Sequence, residues 1–256
     1  MEHYPRVLII PTHKTDKKDR EVLIEVLKQL DNQKEMFDEV VLIKNYEKNT
    51  IIGHHCITPV TEIFFKKTEE YQLSSTINFG LDYIIKKYFE FDKIFIGIIG
   101  DDCIMESFLL GNVIALSTKN SKVVFNPRVV QTEYSTDFAR PNVEGHGCPI
   151  TLTSVEKAVN PRYHVNAILF WLWHKEDWGA RYDSNFDGEW GLEDTDFALQ
   201  LIHRGYVIVP NKNRVWHIDV GWSKHLHQHI PHAQKIQHNP NWKYLKEKWD
   251  KIIAKQ

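Results

Sequence analysis

Three short apolar runs in the first hundred residues, RVLII (Arg6 to Ile10), EVVLIK (Glu39 to Lys44) and KIFIGII (Lys93 to Ile99), constrain the fold of this chain more than anything else in it. Each is rich in β-branched residues and too short for a helix, so each reads as a strand buried on both faces. Segments of helical period lie between them. Val22, Leu23, Val26, Leu27 and Leu30 recur on one helical face; after a polar stretch Ile77, Leu81, Ile84, Ile85 and Tyr88 recur on another, with Ser74 and Ser75 placed to cap that helix. Strands alternating with helices imply right-handed crossovers, so the expected architecture is α/β, with a mostly parallel central sheet flanked by helices. Ligands of such sheets sit beyond the carboxyl ends of the strands. Pro11-Thr12 and Asp101-Asp102, which follow the first and third runs, are therefore expected at one crevice.

The second half is less regular. KVVFN (Lys122 to Asn126), VIVP (Val207 to Pro210) and RVWHI (Arg214 to Ile218) read as strands, the last two separated by an NKNR turn, and NWKYLKEKWDKII (Asn241 to Ile253) reads as an amphipathic closing helix. No repeat, low-complexity tract or Pro/Gly/Ser linker asks for a cut, so residues 1–256 are expected to form one domain. With 42% apolar residues the chain can bury a large core, and with Lys+Arg 32 against Asp+Glu 34 it carries no overall basic field for nucleic acid or anionic lipid. Cys56, Cys103 and Cys148 are odd in number and widely spaced, which points away from a disulfide framework and toward the cytoplasm. The longest apolar stretch, VNAILFWLW, is nine residues. A bilayer span takes about 20, and the N-terminal run is too short for a signal peptide.

Two groups of residues carry chemistry. A strand that ends in Gly100-Asp101-Asp102 places carboxylates at the crevice, where oxygen ligands suit a hard divalent cation bound to a diphosphate; acids after a strand are also common turn formers. In WGLEDTDF, Glu193 and Asp194 open a helix whose core face is Phe197, Leu201 and Ile202 and whose C-cap is Gly205. Capping alone accounts for acids in a first turn. At an exposed helix mouth, however, the dipole also favours the ionised form that a general base needs. Downstream, His217 of RVWHI is expected to swing back toward the carboxylates and complete a mixed oxygen and nitrogen metal site, although a single histidine on a strand is more commonly a core residue.

Taken together, the strand-Pro-Thr start, the acidic pair, the WGLEDTDF block and the later histidine resemble inverting glycosyltransferases of the GT-A fold, especially the large family-2 group and the β-1,4-galactosyltransferases. The resemblance runs from about Arg6 to His217 at the level of motifs. It implies residues 1–105 as the nucleotide-sugar half and 106–256 as the acceptor half. It further implies Asp194 as the catalytic base, Glu193 and Trp190 at the acceptor, and Asp102 and His217 as ligands of Mn2+ or Mg2+. Asp101 would lie by the ribose and diphosphate, and Pro11, Thr12 and His13 around the nucleotide. The chain departs from the pattern at three places: Gly100 replaces the first acid of the Asp-x-Asp triplet, KNYE follows the second strand in place of a base-reading Asp, and an Ala-Arg-Asn triplet is missing after NFG.

The implied donor is a nucleotide diphosphate sugar, and the acceptor is a glycan, lipid, protein or modified nucleic acid. A nucleotidyltransferase that makes such sugars and a non-catalytic sugar- or nucleotide-binding module of the same fold are the rival expectations. Three further features sit beside these. His225, His227 and His229, in the segment His225 to His232, form either a flap over the donor or a solvated loop. Gly145 and Gly147 line either the donor pocket or an ordinary tight loop. Trp171 and Trp173 are expected in the core.

Overall fold

The computed structural model describes residues 4–12, 17–45, 52–66, 72–117, 122–133, 143–144, 168–188, 191–219 and 240–253. In chain order the elements are β1 (Arg6–Thr12), α1 (Lys17–Leu30), β2 (Glu39–Lys44), β3 (Val60–Phe64), α2 (Leu73–Lys87), β4 (Lys93–Ile98), β5 (Cys103–Met105), α3 (Leu109–Ser117), β6 (Val123–Glu133), β7 (Val143–Glu144), β8 (Leu169–His174), α4 (Glu193–His203), β9 (Val207–Asp219) and α5 (Pro240–Ile253). Among the described residues the strands form one sheet of nine, ordered β3-β2-β1-β4-β8-β6-β9-β5, with β7 beside β6. The pairings of β1 with β2 and β4, of β2 with β3, and of β6 with β9 are parallel. Only β8, β5 and β7 insert antiparallel contacts.

The strands read as continuous apolar runs because both faces of the sheet are covered. Val7 and Ile9 of β1, Val41 and Ile43 of β2, and Trp171 and Trp173 of β8 point to one side, where α2, α4 and α5 pack. Their alternates Leu8, Ile10, Val40, Leu42, Phe170 and Leu172 point to the other, under α1 and α3. The expected core role of Trp171 and Trp173 is met, since both are fully buried. Gly97 of β4 permits a close approach. A Cβ there would lie 2.8 Å from the Phe170 ring and 2.9 Å from Leu8. Gly97→Ala is expected to cost about 1–3 kcal/mol by overpacking, read as a lower urea midpoint with an unchanged slope; an unshifted midpoint would show that Phe170 repacks freely.

Several expected elements are corrected. β1 runs on through Pro11 to Thr12. This is tolerated because its pairing with β4 ends at Ile9, so the missing Pro N–H faces no ladder partner on that side. Ser74 and Ser75 do not cap α2 from outside. They lie in its first turn, and their backbone N–H groups donate to the carboxylate of Asp187 at 2.9 and 3.1 Å, a cap supplied from far along the chain. The NKNR segment is no turn: β9 is one strand, and its extra residues form a bulge opposite Pro127 and Arg128 of β6. β3, β5 and α3 add elements where no strand or helix was expected. β3 is a half-buried edge strand whose inward Glu62 pairs with Lys44 at 2.7 Å, which masks its alternation.

Candidate active site

The order β3-β2-β1-β4 reverses direction at β1 and β4, so a crevice opens beyond the ends of these two strands. At that edge the carbonyl of Thr12 accepts the N–H of Asn45 at 3.3 Å, and the carbonyl of Ile9 accepts that of Ile99 at 3.2 Å. Pro11 and Thr12 therefore stand where the sequence puts them. His13 lies outside the described residues.

After β4 the chain bends tightly, with the Cys103 N–H donating to Gly100 O at 3.2 Å, and enters β5. Cys103 of β5 is paired directly opposite His217 of β9, and the Ile218 N–H donates to Asp102 O at 2.8 Å. Residues opposite one another in an antiparallel pair project from the same face. The sheet thus brings Asp102, Cys103 and His217 together. The His217 Nε2 atom is 3.4 Å from Asp102 Oδ2, Cys103 Sγ is 3.5 Å from Asp102 Oδ1, and one donor atom from each of the three falls within 4.8 Å of the others. Asp101 beside them is buried. Burial, followed by the Asp102 carboxylate, pushes the Cys103 thiol well above its usual range. These residues fit a divalent cation: three donors of different type converge, with Asp102 and His217 partly open to solvent and the sulfur beneath them.

The second cluster lies at the mouth of α4. Gly191 and Leu192 both have positive φ, 103° and 77°. A leucine in the left-handed region stores roughly 1–3 kcal/mol of strain, and such strain persists only where surrounding contacts hold it. Asn241 of α5 supplies one, its side-chain amide donating to Gly191 O at 3.0 Å. The expectation of an exposed helix mouth is corrected here: Glu193 is 4% and Asp194 9% exposed. Burial outweighs the helix dipole and pushes Asp194 up to about 6, against the opposing Thr195 N–H and hydroxyl. Its Oδ1 accepts that N–H at 2.7 Å.

Tyr182, which the sequence did not single out, faces this pair. Asn78 grips its backbone with bonds of 2.9 and 2.7 Å, and its ring stacks on Phe197 at 4.2 Å. The hydroxyl is buried without a hydrogen-bond partner among the described residues; burial, then Asp194 and Glu193, push it well above the usual tyrosine range. Asp196, the third acid of the block, is structural. It takes Trp249 Nε1 at 2.8 Å and Lys248 Nζ at 2.8 Å.

Both clusters reach the same edge of the sheet. The strand β9 is parallel to β6, which is antiparallel to β8, itself antiparallel to β4, so His217 near the end of β9 lies at the carboxyl edge with Asp101 and Asp102. The α2 helix returns the chain from that edge, and Asp187 caps its start, placing the turn into α4 on the same side. Trp190, His225 to His232, Gly145 and Gly147 lie outside the described residues. A cavity of about 400 Å³ lined by Tyr182, Asp183, Gln200, His203, Arg204 and Lys248 sits beside the last turn of α4.

No family model matches the sequence, and no curated protein matches it. Among solved structures, S. aureus TarS is similar at 12% identity with a TM-score of 0.55, over 91% of this chain and 42% of that one. TarS 1-349 in complex with UDP-GlcNAc is similar at 12% identity with a TM-score of 0.59, over 92% of this chain and 67% of that one. The same TarS 1-349 fragment in a second structure gives 12% identity and a TM-score of 0.54, over 84% and 60%. This chain thus spans less than half the length of the longer TarS chain. Among the described residues, no helix is long and apolar enough to cross a membrane. With its mostly parallel sheet covered by helices on both faces, the chain has the GT-A fold.

Proposed function

We propose that this chain is a metal-dependent inverting glycosyltransferase that moves a sugar from a nucleotide diphosphate sugar to an acceptor hydroxyl. The observation that carries the reading is the buried Asp194, held near pH 6 at the edge of the sheet where Asp102 and His217 also stand. A carboxylate with that affinity for protons is ionised at neutral pH yet basic enough to take a proton from an attacking hydroxyl.

In this reading Asp194 is the base that deprotonates the acceptor oxygen. The oxygen attacks the anomeric carbon opposite the departing nucleotide diphosphate, and configuration inverts. Glu193 and Trp190 hold the acceptor sugar. Asp101 binds ribose and diphosphate, and Pro11, Thr12 and His13 border the nucleotide, so that residues 1–105 serve the donor and 106–256 the acceptor. Asp102 and His217 hold Mn2+ or Mg2+, which when bound neutralises charge on the diphosphate leaving group. The TarS complex with UDP-GlcNAc supports a uridine diphosphate sugar as the first donor to try. The acceptor is a glycan, lipid, protein or modified nucleic acid, and the spacing of three cysteines supports a cytoplasmic setting.

Pure protein incubated with a panel of nucleotide sugars, with Mn2+ or with chelator, tests this. Metal-dependent release of nucleoside diphosphate supports transfer. Release of pyrophosphate would mark a nucleotidyltransferase, and tight binding without turnover a binding module. His217→Ala is expected to weaken Mn2+-dependent donor binding at least about tenfold, measured by calorimetry; unchanged Mn2+ dependence would return His217 to a purely structural role.

A further inference from the structure

We propose that Cys103 is a third protein ligand of the divalent cation at Asp102 and His217, and that its sulfur turns the site toward Zn2+ and away from Mg2+. The inference rests on the metal-binding reading of those two residues. Protein atoms that share one tetrahedral ion at metal distances of about 2.0–2.3 Å lie roughly 3.3–3.7 Å apart. Asp102 reaches His217 Nε2 through Oδ2 at 3.4 Å and Cys103 Sγ through Oδ1 at 3.5 Å, and one donor atom from each of the three lies within 4.8 Å of the others, so a small rotation of the carboxylate brings the set to that spacing. The cross-strand pairing of Cys103 with His217 fixes them on one face, so the convergence is built into the sheet.

Gly100 gives the second observation. A Cβ at this position would lie 2.8 Å from Asp102 Oδ1 and 3.2 Å from Cys103 Sγ. The space a side chain at position 100 would enter is taken by two of the three donor atoms. A side chain there would push Asp102 Oδ1 aside and press on Cys103 Sγ, so glycine at position 100 leaves both donor atoms where they stand. A thiol used only as a small core side chain fills space. It needs no carboxylate and imidazole at ligand distance. Replacing a hard oxygen donor by sulfur disfavours Mg2+, which takes oxygen ligands and keeps its waters, and favours Zn2+. On coordination the thiol proton leaves to solvent and the thiolate binds the ion.

The test uses the full-length protein, reduced and freed of metal with chelator, titrated with Co2+, Zn2+, Mn2+ and Mg2+. Co2+ is expected to produce a thiolate-to-cobalt charge-transfer absorption in the near ultraviolet, which Zn2+ displaces and Mg2+ does not. Cys103→Ser should lose this absorption and weaken Zn2+ binding relative to Mn2+ by at least about tenfold, with the fold checked by circular dichroism. If that variant does not fold, Asp102→Asn serves instead, with the absorption weakened while the thiol remains. An absorption that persists in full in Cys103→Ser belongs to another cysteine, and one untouched by Asp102→Asn comes from an ion that Asp102 does not hold; either overturns the proposal. An absorption absent from the wild type, with Mn2+ binding still lost in His217→Ala, removes Cys103 from the ligand set and leaves the two-residue site standing. Its absence with Mn2+ binding untouched by His217→Ala overturns both.

Discussion

Asp194→Asn is expected to lower sugar transfer by about 10²–10⁴-fold, the range general-base loss produces, while donor binding persists and the folded protein becomes more stable at neutral pH. Asn keeps the oxygen that accepts the Thr195 N–H, so the helix mouth retains its local bond but loses the base. The stability gain follows from linkage. Burial raises the folded-state affinity of Asp194 for its proton from the ordinary 3.8 to about 6. Its favourable contribution is therefore complete below pH 3.8, declines as the pH rises between those values, and is lost above about 6. A difference of that size corresponds to at most about 3 kcal/mol at pH 7, which the neutral amide avoids. The melting temperatures of variant and wild type should coincide near pH 4 and separate by several degrees at pH 7, and wild-type transfer should rise through about pH 6. Full activity in Asp194→Asn would remove Asp194 from the base role. Equal melting at pH 7 would show that the carboxylate is not buried in solution.

The sheet was legible because strands covered on both faces must be continuously apolar, and β1, β2 and β4 are. Edge strands are different. Glu62 points inward in β3 because Lys44 and the backbone of Ile52 and Gly53 neutralise it, a compensation that no periodicity reveals. The NKNR segment looks like a turn by composition, but β6 pairs with it on both sides, at Asn211 and at Arg214, which makes it a bulge within one strand.

The candidate site divides in the same way. The meeting of Asp102 and His217 was expected from residue types that suit a metal ion, and the sheet brings the two side chains to 3.4 Å. Cys103 was not, because a lone cysteine in a sequence carries no sign of what stands across the strand from it. Tyr182 lies on an irregular segment, and its stacking on Phe197 sets it beside the acid pair. The burial of Glu193 and Asp194 was also hidden: polarity in a first helical turn predicts exposure, and only the packing of Leu192, Tyr182 and α5 around them reverses it.

Lys248→Met is expected to destabilise the protein by about 3–5 kcal/mol, the cost of leaving a buried charge without its partner. Asp196 is fully buried, and Lys248 Nζ lies 2.8 Å from it and 2.8 Å from Asp183. Burial raises Asp196 above its ordinary range even with Lys248 opposing it. Without the lysine the carboxyl must either stay charged in an apolar site or take up a proton, so the loss should be largest at neutral pH and shrink as the pH falls toward the carboxylate range. Asp183 works in the opposite sense. Although burial opposes it, Lys248 and Tyr244 hold Asp183 down to about 2, so its contribution is present above its ordinary 3.8 and is lost on acidification through about 2. The double variant Asp196→Asn with Lys248→Met removes the stranded charge and should recover part of the stability. Because Asn241 of the same helix holds the Gly191 carbonyl, loosening α5 should also reduce transfer without touching donor or metal. A Lys248→Met protein that melts with the wild type at pH 7, or a double variant no more stable than the single one, would show that Asp196 does not depend on the lysine.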